Sequence, residues 1–415
     1  MRGEKDSMRV LLVSTHVDQT TGYSKVAYHL LRQMATLIPK IKLFHFGFQR
    51  NPGHTNHRKV PEGVIAFDAA AAEDPKEEGF GFNELAEYIE TVEPKLVIFY
   101  NDPLIIARFL DVLKYDKEKA SYKVWTYLDQ VYLGIARPVM EAVDKASEHV
   151  YAFTPYWADV YRSYFPDGPQ AKVKVLEHAA DAETFKPLAN RSALRAQLNL
   201  PENATVFLNC NRNSQRKRLD LTIQAFVGLL AKNPEAPYYL LIATGADPTR
   251  GGHYNLQNVF CTECQIHNLN LADVGNRLLV IDTGGTTVYT DSSINDLYNV
   301  ADLGINTSDG EGFGLCQLEH LQTGAPQIVT DAGSYTFLDE TCAITIPAPL
   351  REYQSGTMVL GTFARTSVPD LIIQGMEKAI ADLPKLREGI AAKTFPTWAN
   401  VCDGFLEDLL AQTKN

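Results

Sequence analysis

Short runs of apolar and β-branched residues alternate with stretches of helical period almost from one end of the chain to the other. This is the pattern of parallel strands joined by crossover helices. In the first half, strand-length runs begin near Met8, Ile41, Lys95, Tyr122, His149 and Lys172, and the amphipathic stretch from Ser24 to Leu37 supplies the first crossover helix. A second series follows: TVFLNC from Thr205, YYLLIAT from Tyr238, RLLVIDT from Arg277, ADLGINTS from Ala301 and PQIVTD from Pro326. Between the two series, Asp181 to Ala204 is polar, holds two prolines and lacks strand character, so the domain junction is expected inside it. The pattern predicts an α/β protein of two doubly wound parallel sheets with a cleft beside the junction. Ligands of open parallel sheets bind outside the carboxyl ends of the strands, so the residues just after each strand become the first functional candidates.

Composition supports two cores. A chain of 415 residues is too long for one ordinary domain, and 45% hydrophobic against 21% charged residues is enough apolar material to bury both. The formal net charge of -11 repels phosphate-rich polymers and anionic lipid at long range, so nucleic acid is excluded as a general partner and any anion site must be local. The longest apolar runs, MRVLLVS from Met8 and KLVIFY from Lys95, fall far below the ~20 residues of a membrane helix. The start, Met1 to Ser7, lacks the apolar core of a signal peptide, so a cytoplasmic protein is expected. The six cysteines make no disulfide framework. Cys261 and Cys264, flanked by His253 and His267, could offer four zinc ligands, but no second C-x-x-C accompanies them, and packing as buried thiols is the simpler expectation. No metal is therefore expected.

Two segments carry chemistry. After the strand at Thr205, the string NRNSQRKRLD crowds Arg212, Arg216, Lys217 and Arg218 into one loop of an acidic protein, where guanidinium and ammonium groups suit diphosphate oxygens. Asn211 opens that loop. Further on, ADLGINTSDGEGFGLCQLEHLQTGAP reads as a strand, a glycine-rich turn, a helix from about Leu315 to Thr323, and Gly324 as its C-terminal cap. Gly310, Gly312 and Gly314 allow close backbone approach, and the helix that opens past Phe313 at Leu315 offers free N–H groups to an anion. Glu311 lies in the turn and Glu319 in the helix, at different depths, which suits separate hydrogen-bonding tasks on diols better than a glycosidase pair. Taken alone, Glu319 reads as an exposed helix residue.

These strings resemble a known family. SDGEGFGLCQLE, from Ser308 to Glu319, is similar to the E-x7-E signature of family-four glycosyltransferases of the GT-B fold, and NRNSQRKRLD resembles their R-x4-K phosphate element, with Arg212 and Lys217 in register. EHAADAETFKP and DLYNVADLGINTS extend the likeness. The strings YNDP, RKRLD and GEGFGLC also look like glycosyltransferases of large DNA viruses. The resemblance implies a retaining, metal-independent transferase with two Rossmann-like domains: residues 1–190 on the acceptor side, and residues 191–395 binding the nucleotide sugar. It implies that Arg212 and Lys217 hold the donor diphosphate, Glu311 contacts the sugar hydroxyls and Glu319 binds the ribose. Gly312, Phe313, Gly314 and Leu315 would line the donor site. The final amphipathic stretch, 396–415, is similar to a helix that crosses back onto the first domain. A hexose from a GDP- or UDP-linked donor would pass to a glycan or other hydroxyl acceptor, with no cofactor beyond the donor itself.

The first half departs from the pattern. Only Gly22 stands where paired glycines are usual, and Leu128 stands in WTYLDQ where a histidine often precedes the aspartate. Asp129 and Asp102 both follow strands and could bind sugar or acceptor, although capping a helix explains either equally well. His16 also follows a strand and ranks below them. The alternatives are a GT-B epimerase or phosphorylase, and a silent sugar-nucleotide-binding module. A dinucleotide oxidoreductase ranks below these, because no G-x-G-x-x-G follows the first strand.

Overall fold

The computed structural model describes residues 7–76, 78–245, 252–284, 289–352 and 363–414. The opening run Met1 to Asp6 therefore lies outside the described residues. Strands β1 (Met8–Thr15), β2 (Ile41–Phe48), β3 (Val64–Asp68), β4 (Leu96–Asn101), β5 (Lys123–Leu128), β6 (His149–Ala152) and β7 (Val173–Val175) form one sheet in the order β3-β2-β1-β4-β5-β6-β7. Strands β8 (Thr205–Asn209), β9 (Tyr238–Thr244), β10 (Leu278–Asp282), β11 (Leu303–Asn306), β12 (Gln327–Thr330) and β13 (Ala343–Ile346) form the other, in the order β10-β9-β8-β11-β12-β13. Every pairing in both sheets is parallel. The order reverses beside β1 and beside β8, so each sheet has a switch point at the carboxyl end of its first strand. Strands β14 (Leu350–Glu352) and β15 (Phe363–Arg365) make a separate antiparallel pair.

The chain divides into two units. The first runs to Ala179 and takes back the terminal segment Pro396–Asn415; the second begins at Ala180 and ends at Phe395. Residues 180–190, grouped with the first domain in the sequence-based division, fall in the second, whose side chains satisfy part of their backbone. Asn295 accepts from the Lys186 N–H at 3.2 Å and Asn299 from that of Leu188 at 2.8 Å. The terminal helix, Trp398–Gln412, starts at a capping box formed by Thr397 and Asn400. It packs in the first unit, where Trp398 stacks on His29 of the Gly22–Ala35 helix at 4.9 Å and Asp408 accepts from the Tyr151 hydroxyl at 2.7 Å.

The core of the second unit places Phe207, Leu240, Leu303 and Ile305 against the Leu219–Lys232 helix, whose Ile223, Phe226 and Leu230 are fully buried. Each such side chain contributes roughly 1.5–3 kcal/mol by leaving water. Gly228 lets the Pro369–Ala381 helix approach, since a Cβ there would sit 2.5 Å from Ile373. Packing on both faces fixes the strand ends, and with them the loops that carry the site.

Candidate functional site

The loop after β8 is held from both sides. Asn209 donates to the Thr222 hydroxyl at 2.9 Å, and Asn211 Nδ2 donates to the Asn209 side-chain Oδ1 at 2.8 Å. Asn213 bonds the Tyr254 backbone twice, at 2.8 and 2.9 Å. A short turn, Gln215–Lys217, then aims two cations inward before Arg218, at φ 47°, starts the next helix.

The segment after β11 is stitched to that loop through the backbone. The Asp309 N–H donates to the Arg216 carbonyl at 2.8 Å, the Ser308 hydroxyl donates to the same oxygen at 3.2 Å, and the Thr307 hydroxyl reaches the Arg218 carbonyl at 2.7 Å. On this frame Glu311 meets three donors. Lys217 Nζ donates to Oε1, Asn306 Nδ2 reaches the same oxygen at 2.9 Å, and Arg216 Nη1 lies 3.3 Å from Oε2 while also bonding the Gly310 carbonyl. The side chains of Arg216, Lys217 and Glu311 are 15, 11 and 7% exposed, so water screens their charges poorly. Burial alone would push the Glu311 carboxyl up, but the Lys217 and Arg216 charges overcome it and bring the pKa down to about 2. Burial, reinforced by the Arg216 charge, lowers the Lys217 pKa despite the neighbouring carboxylate.

The turn leads into the Leu315–Gln322 helix through Gly314, at φ 90°, where a Cβ would lie 2.4 Å from the Tyr335 ring. No other residue fits there. Tyr335 in turn accepts from Asn306 Nδ2 at 3.0 Å, so one asparagine ties the ring to Glu311. Gly312 and Phe313 are buried, Phe313 against Phe337 at 5.2 Å, and Leu315 is half-buried. Glu319 is buried as well, accepting from the Tyr298 hydroxyl at 3.1 Å, so its reading as an exposed helix residue is corrected.

Arg212 stands apart from this group. Its side chain is exposed and makes no bond among the described residues, whereas Arg216, four positions on, reaches Glu311. Arg218 is drawn away to Asp220 at 2.9 Å and toward Asp309 at 3.5 Å. Asn306 and Tyr335 were not singled out in the sequence. Asn306 ends β11 and could have been found by its strand-end position; Tyr335 carries no local signal.

In the first unit, Gly22 starts its helix on the surface, and an added Cβ would meet nothing within 4 Å. Asp102 caps the Pro103–Val112 helix, accepting from Leu104 and Ile105 at 3.0 and 3.1 Å, and burial raises its pKa to about 6. Asp129, at the end of the adjacent β5, receives the Tyr23 hydroxyl. His16 bonds Asp18 at 2.8 Å, and Asp18 is held in turn by Arg50 at 3.0 Å.

Cys264 packs inside the second core, and Cys261 lies one turn before it on the Leu256–Ile266 helix. Among the described residues, no group of three or more His, Cys, Asp and Glu side chains could hold a metal ion. No helix among them is long and apolar enough to cross a membrane.

Comparison with known proteins identifies the fold and a matching segment. Sucrose-phosphate synthase from Thermosynechococcus elongatus superposes with a TM-score of 0.70 at 18% identity, covering 98% of each chain. Anabaena HepE in complex with UDP-glucose superposes with a TM-score of 0.67 at 14% identity, covering 97% of this chain and 100% of that one. The fold is GT-B, with two parallel-sheet α/β domains. Residues 190–337, which hold the whole Arg216–Lys217–Glu311 site, match the family model described as glycosyl transferases group 1. The sequence is 25% identical over 222 residues to the D-inositol 3-phosphate glycosyltransferase of Streptomyces bingchenggensis, covering 53% of this chain and 44% of that protein. It is 28% identical over 177 residues to the enzyme of the same name from a Nocardioides species, covering 41% and 36%. The chain thus spans less than half the length of these curated relatives.

Proposed function

We propose that the protein is a retaining glycosyltransferase that moves a hexose from a nucleoside diphosphate sugar, UDP-linked in preference to GDP-linked, to a hydroxyl acceptor. The observation that carries this reading is the meeting of Lys217 and Arg216 with Glu311 at the carboxyl ends of β8 and β11. Two desolvated cations on fixed backbone suit a diphosphate, and Glu311 supplies acceptor oxygens for sugar hydroxyls beside it. The preference for uridine is supported by the UDP-glucose that the similar Anabaena HepE binds.

In the reaction the acceptor oxygen bonds to the anomeric carbon on the face the leaving group departs from. The bond from that carbon to the diphosphate oxygen breaks, its electron pair stays on the diphosphate, and a diphosphate oxygen takes the acceptor's proton. Lys217 and Arg216 stabilise the developing negative charge, a task for which the two fixed positive charges suffice without a metal ion. Glu319, steadied by Tyr298, binds the ribose. The six free cysteines fit a reducing cytoplasm.

The test is turnover of a panel of UDP- and GDP-hexoses with free sugar and polyol acceptors. Release of nucleoside diphosphate that disappears in Lys217→Ala supports the reading; phosphate-dependent turnover or an epimerised donor would replace it with the phosphorylase or epimerase alternative.

A further inference from the structure

At the opposite end of the second sheet, three arginines converge on one carboxylate. Asp302 directly precedes β11. It takes Arg191 Nη2 at 2.6 Å and Arg387 Nη2 at 2.8 Å on Oδ1, and Arg195 Nη1 at 3.1 Å with the Val206 N–H at 2.9 Å on Oδ2. Burial opposes its ionisation, but the bond from Arg191 and the arginine charges outweigh that and keep its pKa low. One negative charge against three positive ones leaves a local surplus of two, in a protein whose formal charge is -11.

That surplus borders a cavity of about 130 Å³, room for several waters or an ion of phosphate size, lined by Arg191, Arg387, Leu188, Tyr298 and Thr323. Arg191 is oriented by the Asn299 and Ala301 carbonyls at 2.9 and 3.2 Å, which leaves its Nη1 without a bond among the described residues. Arg387 makes one bond there, to Asp302, so its Nε and Nη1 donors also remain. Two guanidinium forks with spare donors at one cavity are suited to phosphate oxygens. The four residues of β11, about 13 Å of strand, separate this cavity from the Glu311 end, so one small ion cannot occupy both.

We propose that this cavity is a second anion site, which binds a phosphate group between Arg191 and Arg387 and is distinct from the donor site. Its walls connect the two. Tyr298 lines the cavity and donates to Glu319 at 3.1 Å, and the Leu315–Gln322 helix runs from the donor turn to Thr323 at the cavity. Occupancy therefore biases the position of Glu319; that consequence rests on the transferase reading, whereas the binding itself does not.

The test is calorimetric titration of the full chain, with the donor site filled by UDP, using inorganic phosphate and separately glucose 6-phosphate. Arg387 is 41% exposed, and circular dichroism verifies the fold of its variants before titration. Wild type and Lys217→Gln, the latter without UDP, should bind phosphate alike, and Arg387→Ala should bind at least about tenfold more weakly, with Arg387→Lys between them. Tighter binding of glucose 6-phosphate identifies a phosphomonoester as the ligand, and equal or weaker binding identifies free phosphate. Phosphate binding that is lost with Lys217, unchanged in Arg387→Ala, or absent for both probes overturns the proposal, whatever the transfer assay shows.

Discussion

Lys217 and Glu311, 94 residues apart in the chain, form a buried ion pair that joins the loop after β8 to the turn after β11. The pair is also a competition. A donor diphosphate placed on Lys217 must share or replace the carboxylate, so the site is set for an anion and already holds one of its own.

That competition has a measurable sign. Replacing Glu311 by Gln removes the internal anion while keeping the shape, and free UDP is expected to bind roughly tenfold tighter, about 1.4 kcal/mol. Transfer should fall at the same time, because the sugar loses its carboxylate partner. Calorimetry with UDP reads the first effect; weaker UDP binding in the variant contradicts it.

The two arginines of the loop should separate cleanly. Arg216 lies 3.3 Å from Glu311 and is mostly buried, whereas Arg212 points to solvent. Arg216→Ala is expected to lower kcat by about 10²–10³, the range for losing one preorganised donor to a developing charge. Arg212→Ala should stay within a few-fold of wild type. Equal losses in a kinetic comparison would return the diphosphate role to Arg212.

Gly314 tolerates no side chain. Alanine would have to hold φ 90° with its Cβ 2.4 Å from Tyr335, a conformational cost of order 1–3 kcal/mol before the clash is counted. A melting temperature lowered by at least about 2–4 °C is expected, since 1 kcal/mol moves a unit of this size by that much. Thermal unfolding of Gly314→Ala followed by circular dichroism checks it, and an unchanged midpoint contradicts it.

Asp309 gives a pH signature. Burial raises its carboxyl pKa from 3.8 to about 6, against the opposing Arg218 charge and the bond from Thr366 at 2.9 Å. A raised folded-state pKa means stability that is present below about 4 and is lost as pH climbs through about 6. The loss is roughly 2–3 kcal/mol. Urea unfolding of wild type and Asp309→Asn at pH 4, 5, 6 and 7 should show wild type losing ground to the variant across that window. Parallel curves would remove the effect.

Much of this was readable beforehand, for physical reasons. Strands β1, β8 and β9 are buried on both faces and announce themselves as continuous apolar runs, and the glycines around Glu311 mark a tight strand-to-helix turn. β3 escaped notice because it is a half-exposed edge strand whose sequence, VIAFD, is brief and lacks a continuous buried apolar run; β13, AITI, is briefer still. At the site, the family resemblance pointed to Arg212, which is exposed, while the turn at Gln215–Lys217 brings Arg216 to Glu311, a contact with no signal in the linear sequence. Tyr335 could be found only in three dimensions, where the missing Gly314 side chain makes room for its ring.

Lys217 is expected to hold the donor diphosphate. Titrating UDP into wild type and Lys217→Ala, with folding verified by circular dichroism, tests this directly. The expected result is a loss of affinity of about a hundredfold or more, near 2.7 kcal/mol. Equal dissociation constants in two folded proteins would show that the diphosphate binds elsewhere.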